Sequence, residues 1–288
     1  MAEILITGGA GNFGRLLASE LKKDGHSLRI LDLPSCDYDF FDGWEKTDIF
    51  KGDILDSKFL EEPLKGVEWV YHLAAILPPA SEQNRELTFK VNVEGTKSLL
   101  DACNKMERSP AIVFSSSISI YGNAGGNTIK TDSPLNPIDI YAESKVEAEK
   151  VLFASGLPYV NFRIAGIAIP AFLDPPEPWP FMAEQQIELL TLSDLVTALV
   201  SVLNNKEGAL NKTLILSGGS TWQVKGKEYV SRWGEIMEIP VEEMDFMDKP
   251  GWYNWYDTEE SQGLLDYQKT TLDDFWGQLK DAVDEILG

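Results

Sequence analysis

Thr7-Gly8-Gly9-Ala10-Gly11-Asn12-Phe13-Gly14 follows directly on the apolar run Ile4-Leu5-Ile6. Glycines at 8, 11 and 14 let a strand turn tightly into a helix and let bare backbone N–H groups approach a ligand. The helix N-terminus then offers partial positive charge to a pyrophosphate. Spaced glycines alone can mark an ordinary loop, but here both flanks fit. Phe13, Leu16, Leu17 and Leu21 recur at helical spacing after the turn. Further out, the strand Leu28-Arg29-Ile30-Leu31 ends in Asp32, and no arginine follows in Leu33-Pro34-Ser35. An acid in that place accepts both ribose hydroxyls of an adenosine and repels a 2′-phosphate. The expectation is a bound dinucleotide, NAD rather than NADP.

The bulk properties narrow the partners. A chain of 288 residues, 43% hydrophobic, can bury a full core. No apolar run reaches membrane length, and no leader is expected because the first strand begins at residue 3. Cys36, Cys103, His26 and His72 make no metal-type spacing, so no metal is expected. A reducing cytoplasm suits so few cysteines. The net charge of −21 argues against nucleic acid and anionic membranes as partners. Its bland meaning is solubility.

Strand-like runs at 4–7, 28–32, 49–50, 69–73, 111–115 and 159–163 alternate with helical stretches near 13–23, 57–62, 84–105 and 140–154. This alternation predicts an α/β fold with a doubly wound parallel sheet. The pattern breaks at Ile169-Pro170, where a proline-rich run to Pro180 forbids a regular helix or central strand. A helix is expected at 193–203, with Ser193 as its N-cap, and a strand at 213–216. The expected division is 1–168, with 193–217 returning to it, as the dinucleotide domain. Residues 169–192 and 218–288 form a small lobe that binds substrate. Trp222, Trp233, Trp252, Trp255 and Trp276 fall in that lobe. They line a pocket or anchor its core.

Tyr141-Ala142-Glu143-Ser144-Lys145 puts a tyrosine and a lysine on one helix face, just after the fifth strand. Ser115-Ser116-Ser117 ends that strand, and strand C-termini form the ligand crevice of such a sheet. With Thr7–Gly14, Asp32, Gly52-Asp53-Ile54, His72-Leu73-Ala74-Ala75, Asn92-Val93-Glu94-Gly95-Thr96 and Ser115–Gly122, these residues stand in an order that resembles the extended short-chain dehydrogenase/reductase family, the NAD-dependent epimerase/dehydratase group. The resemblance is strong over residues 1 to about 165 and thin beyond them.

The resemblance implies a Rossmann-type sheet, NAD as cofactor and a set of roles. Gly8, Gly11, Asn12, Phe13 and Gly14 would cradle the pyrophosphate. Asp32 would hold the ribose, and Asp53 and Ile54 would flank the adenine. Leu73, Ala74 and Ala75 would pass under the cofactor, with Asn92, Ser115 and Ala165 beside it. Ser117, Tyr141 and Lys145 would be catalytic, the last two also touching NAD. Elementary chemistry agrees. Tyr141 would take the proton that leaves a carbinol with its hydride, and bringing a phenol from pH ~10 toward neutrality needs roughly 4 kcal/mol. The Lys145 ammonium and the oxidised nicotinamide favour phenolate, and Ser117 can bond the reacting oxygen. The bland alternative is an exposed helix pair.

Departures from the family pattern exclude some chemistry. Ile118-Ser119 follow Ser117 where sugar dehydratases of the family carry Asp-Glu, which disfavours dehydration and decarboxylation. Gly166 stands where nucleotide-sugar epimerases carry Asn, and no basic residue lies between Arg163 and Lys206. A substrate diphosphate then has no partner there, leaving Arg232 or a lysine within 206–227 to reach it. The leading expectation is an NAD-dependent oxidoreductase acting on a small polyol, sugar or sugar acid. A nucleotide-sugar epimerase with tightly held NAD and a dinucleotide-sensing protein without activity are the alternatives. The resemblance also implies a homodimer through the helices near 84–105 and 140–154, with Leu99, Leu100, Val146 and Phe153 as candidate contacts.

Overall fold

The computed structural model describes residues 1–287. Its centre is a seven-stranded sheet. The strands are β1 (Glu3–Thr7), β2 (Ser27–Asp32), β3 (Thr47–Lys51), β4 (Trp69–His72), β5 (Ala111–Ser117), β6 (Tyr159–Ile164) and, much later, β10 (Lys212–Leu216), in the order β10-β6-β5-β4-β1-β2-β3. The pairs β1–β2, β1–β4, β2–β3 and β4–β5 are parallel, with Ile4 facing both Leu28 and Trp69. Strand order reverses between β1 and β4, the place where such sheets open a crevice at their C-terminal ends.

Helices α1 (Asn12–Lys23), α2 (Ala80–Gln83), α3 (Arg85–Phe89), α4 (Thr96–Asn104) and α5 (Ile140–Ala154) connect these strands. One core joins Leu5, Val70, Ile112 and Phe114 of the sheet to Leu99, Leu100 and Leu152 of the helices. Leu99 and Leu100 point into that core and are fully buried, so they are not dimer contacts; Phe153 stays 43% exposed. The helix expected over 57–62 is a single 3-10 turn, Phe59–Glu61, with Pro63 close behind it. The helix expected over 84–105 is broken by a π turn at Lys90–Gly95, where the backbone packs tightly on Ile54.

The chain divides into two compact units. The first comprises Met1–Ser117, Asp139–Phe162 and Val202–Thr213; the second takes Ile118–Ile138, Arg163–Ser201 and residues from 214 onward. This differs from the expected division: 118–138 and most of the helix after residue 191 belong to the second unit. That unit has short strands β7 (Gly166–Ala168), β8 (Gln186–Ile187), β9 (Leu189–Thr191) and β11 (Val224–Lys225). Its helices include α6 (Leu192–Asn204), which runs on into the first unit, α8 (Gly226–Met237), α9 (Glu259–Leu265) and α10 (Leu272–Leu287); the one-turn α7 (Lys206–Ala209) precedes β10. Ser193 is not the cap of α6. Thr191 Oγ1, two residues earlier, accepts the Asp194 N–H at 3.2 Å, because the helix already begins at Leu192. Trp222, Trp233 and Trp276 are buried with Trp179, Tyr229 and Phe275 as core anchors of this unit; Trp252 packs against that core, half-buried. Among the described residues no helix is long and apolar enough to cross a membrane, and no cluster of metal-ligating side chains occurs.

Candidate active site

The glycine loop leaves β1 with Gly8 at φ +71, where a Cβ would stand 2.8 Å from the Ala74 nitrogen. A Cβ on Gly14 would meet the Gly8 carbonyl oxygen at 2.5 Å, so only glycine allows α1 to pack on the loop. Gly11 is different. A Cβ there would touch nothing closer than 3.4 Å, so its surface is open rather than packed. Helix α1 starts at that open surface without a side-chain cap and without an acid in its first turn. Asn12 is exposed and Phe13 half-buried. Unsealed N–H donors at a helix N-terminus suit a pyrophosphate, and the loop fits NAD.

Asp32 ends β2 and is tied to the same loop: Oδ2 accepts the Ala10 N–H at 3.1 Å and Oδ1 the Leu33 N–H at 2.9 Å. Asp53 turns its Oδ1 to the Leu55 N–H at 2.9 Å, and Ile54 is buried in the core. After β4, Leu73, Ala74 and Ala75 are half-buried, and Leu73 N–H donates to the Thr7 carbonyl at 3.1 Å. His72 is buried between two threonines, its Nδ1 2.7 Å from Thr7 Oγ1 and its Nε2 2.9 Å from Thr96 Oγ1. Burial, and next the Lys145 charge, push its pKa down to about 3, so it is a neutral linker between the loops. Ala165 is buried in the second unit, with its N–H on the Leu216 carbonyl at 2.9 Å.

Asn92 lies in the π turn and brackets Ile76. Its Oδ1 accepts the Ile76 N–H at 2.7 Å, and its Nδ2 donates to the Ile76 carbonyl at 3.1 Å. The same Nδ2 donates to Ser144 Oγ at 3.0 Å, and Ser144 Oγ donates to the Tyr141 carbonyl at 2.7 Å. Asp139 caps α5 by accepting the Ala142 N–H at 2.7 Å. One turn on from Tyr141, Lys145 is buried; its Nζ donates to the Ser115 carbonyl at 2.7 Å and lies 5.6 Å from the Tyr141 ring centre. Ser115 Oγ in turn donates to the His72 carbonyl at 2.9 Å. Ser117, at the end of β5, is half-buried. Thr7, His72, Thr96 and Ser144 were not singled out from the sequence as site residues. The signal for each is its place: Thr7, His72 and Thr96 stand at the ends of quoted motifs, and Ser144 stands between Tyr141 and Lys145.

The electrostatics depart from expectation at one point. Burial, aided by Asp139, raises the Tyr141 phenol well above its ordinary value rather than lowering it. Burial also lowers Lys145 to about 8, with Glu149 one turn away opposing the shift. The lysine amine turns to the Ser115 carbonyl, while burial and then the Asp139 charge act on the phenol. Three of the cations that could reach a substrate diphosphate already have partners in the second unit. Lys227 pairs with Glu184 at 2.6 Å, Arg232 with Glu235 at 2.7 Å, and Lys225 Nζ donates to the Glu184 carbonyl at 3.1 Å.

A family model described as the NAD dependent epimerase/dehydratase family matches residues 4–170. The chain is 29% identical over 175 residues to sterol-4-alpha-carboxylate 3-dehydrogenase, decarboxylating, from Mus musculus, covering 60% of this chain and 46% of that protein. It is 30% identical over 158 residues to D-erythronate dehydrogenase from Cupriavidus necator, covering 52% and 49%. The chain thus spans about half the length of the curated relatives it matches. Among solved structures, UDP-glucose 4-epimerase with UDP-glucose from Thermotoga maritima superposes with a TM-score of 0.82 over 99% of this chain and 100% of that one, at 21% identity, a likeness of fold.

Proposed function

This chain belongs to the NAD dependent epimerase/dehydratase family, enzymes with NAD as cofactor, and from that premise we propose that it transfers hydride between NAD and a secondary alcohol or ketone of a small polyol, sugar or sugar acid. What carries the reading is the buried Lys145, one turn beyond Tyr141 on α5 and bonded to the strand that ends in Ser117. Gly8, Gly11, Asn12, Phe13 and Gly14 would hold the pyrophosphate and Asp32 the adenosine ribose. NAD, when bound, supplies the carbon that accepts or gives the hydride.

The chain's own residues handle the proton. In oxidation the substrate hydroxyl passes its proton to Tyr141 Oη; in reduction Tyr141 returns it to the ketone oxygen. Burial keeps the phenol protonated near neutral pH, the form reduction needs. Lys145, at about 8, is still largely cationic at pH 7 and favours phenolate for oxidation. Ser117 donates to the reacting oxygen. Ile118 and Ser119, both buried, bring no carboxyl to expel water or carboxylate.

D-erythronate is the first substrate to try, given the Cupriavidus necator relative. The test is NADH formation across secondary alcohols, sugars and sugar acids with wild type and Tyr141→Phe. We expect the variant to lose about 100-fold or more in kcat while still binding NAD. Equal rates would sink the role of Tyr141. Family membership also favours a second reading, a sugar-nucleotide epimerase that holds NAD through turnover. It predicts NAD released only on denaturation and UDP-sugar conversion without net NADH. We also propose, on either reading, a homodimer through α3–α5, with Phe153 and the half-buried Val146 as remaining contacts. Light scattering that reports a monomer would refute it.

A further inference from the structure

The carbonyl of Tyr141 is tied through Ser144 and Asn92 to Ile76, in the loop that leaves β4. The N–H of Tyr141 is held from the same stretch of chain. Glu82, just past that loop, accepts the Tyr141 N–H on Oε1 at 3.0 Å and the Ile140 N–H on Oε2 at 2.9 Å. Ser81, itself buried, donates its hydroxyl to Glu82 Oε1 at 2.9 Å and so fixes the carboxylate. The first N–H groups of a helix have no intrahelical partners, and a carboxylate there is favoured by the helix dipole as well. A two-point carboxylate on the first two helical residues leaves the tyrosine's turn little freedom to rotate or slide.

We propose that Glu82 is a positioning residue: its carboxylate closes a hydrogen-bonded ring that runs from the loop after β4 to both peptide groups of Tyr141. The ring passes from Ile76 through Asn92 and Ser144 to the tyrosine carbonyl, then from the tyrosine N–H through Glu82 back along the chain to Ile76. The family-implied cofactor loop, Leu73–Ala75, and the proton-transfer residue are thereby referenced to one frame. A plain capping role explains less, because Asp139 already caps α5 through Ala142. The catalytic consequence rests on the proposed function; the ring itself does not.

The test uses the full chain loaded with NAD and compares Glu82→Ala, Glu82→Gln and, as a control, Arg85→Ala. Arg85 meets Glu143 of α5 in an exposed ion pair at 2.5 Å and is expected to matter little. Amide exchange over residues 140–142 is expected to quicken about tenfold in Glu82→Ala, with the NAD dissociation constant within about twofold of wild type. On the substrate that wild type turns over best, kcat is expected to fall about 10- to 100-fold with KM nearly constant, since a misplaced acid–base group costs rate rather than binding. Glu82→Gln keeps one acceptor oxygen and should recover part of both effects, while Arg85→Ala shows neither. Unchanged exchange over 140–142 in Glu82→Ala, or faster exchange with an unchanged kcat, overturns the proposal. Should wild type turn over no alcohol or ketone, the reading of function fails, and the exchange measurement, which needs no substrate, still decides the clamp.

Discussion

The two compact units use buried polar side chains for different ends. In the first, His72, Asn92, Ser144 and Lys145 are buried beside the C-terminal ends of a regular sheet whose backbone already satisfies itself. Their hydrogen bonds link segments that carry the candidate site residues. In the second unit, strands are two or three residues long and leave many peptide groups unpaired. Side chains meet that demand. Glu188 accepts from the Gly219 and Tyr256 N–H groups at 2.9 and 3.0 Å and from Gln223 Nε2 at 3.0 Å. Asp194 takes the N–H groups of Lys269 and Thr270, and Asn254 bonds Gly122, Ala124 and Trp252. A regular sheet releases polar side chains for chemistry; an irregular unit consumes them in its own backbone.

The comparison breaks most easily at the glycine loop. Gly14→Ala would drive a methyl onto the Gly8 oxygen and Gly9 Cα, at 2.5 and 2.6 Å, both backbone atoms. We expect it to lower the melting temperature and to weaken NAD binding about 100-fold, on the order of 3 kcal/mol. Gly11→Ala should behave otherwise. Its methyl is tolerated by the protein but stands on the open surface where we propose that the pyrophosphate lies. Calorimetry and thermal melts should therefore show lost NAD affinity with unchanged stability. Loss of stability in Gly11→Ala would mean that the loop is a packing device.

In the second unit the matching test is Glu188→Gln. Both Glu188 oxygens face N–H donors, and an amide would turn its own N–H₂ toward one of them. We expect a loss of about 2 kcal/mol in chemical unfolding, the cost of an unmade buried hydrogen bond. NAD affinity should not move. An unchanged midpoint would show that loop contacts other than Glu188 organise this unit.

Legibility divides along the same line. Strands β1, β2, β4, β5 and β6, helix α5 and the loop from Thr7 to Gly14 are visible in sequence because apolar period, glycine spacing and strand ends agree there. The π turn at Lys90–Gly95 is hard to read, since its one glycine, Gly95, gives no sign of the close packing on Ile54 that the fold brings to it. Thr191 displaces Ser193 as cap because two hydroxyls two residues apart look alike until the helix start is known. In the second unit, α8 and α10 hide among aromatic and acidic residues whose partners are far along the chain. Trp276 packs on Tyr229, and Trp222 on Phe275. The tryptophans announce that something is buried, not what buries it. At the candidate site, the glycine spacing, the serine run and the Tyr141/Lys145 pair stand out in the sequence. The direction of the Tyr141 shift does not, because it depends on burial that only the fold supplies.

The smallest effect sharpens the cofactor side of the comparison. Asp32 is expected to read the adenosine ribose, yet one of its oxygens also holds the Ala10 N–H of the glycine loop. Asp32→Asn removes the charge that repels a 2′-phosphate while keeping the size of the side chain. NADP binding should therefore improve relative to NAD by about tenfold, or ~1.4 kcal/mol. Part of any fall in NAD affinity will come from the loop, since an amide can accept from Ala10 or from Leu33 but not from both. Asp32→Glu separates the two roles. It keeps the charge and shifts the carboxylate by one methylene, so NADP should stay excluded while the Ala10 bond weakens. Calorimetric affinities for both dinucleotides across the two variants check this. Equal NAD and NADP affinities in wild type would leave Asp32 as an anchor of the loop alone.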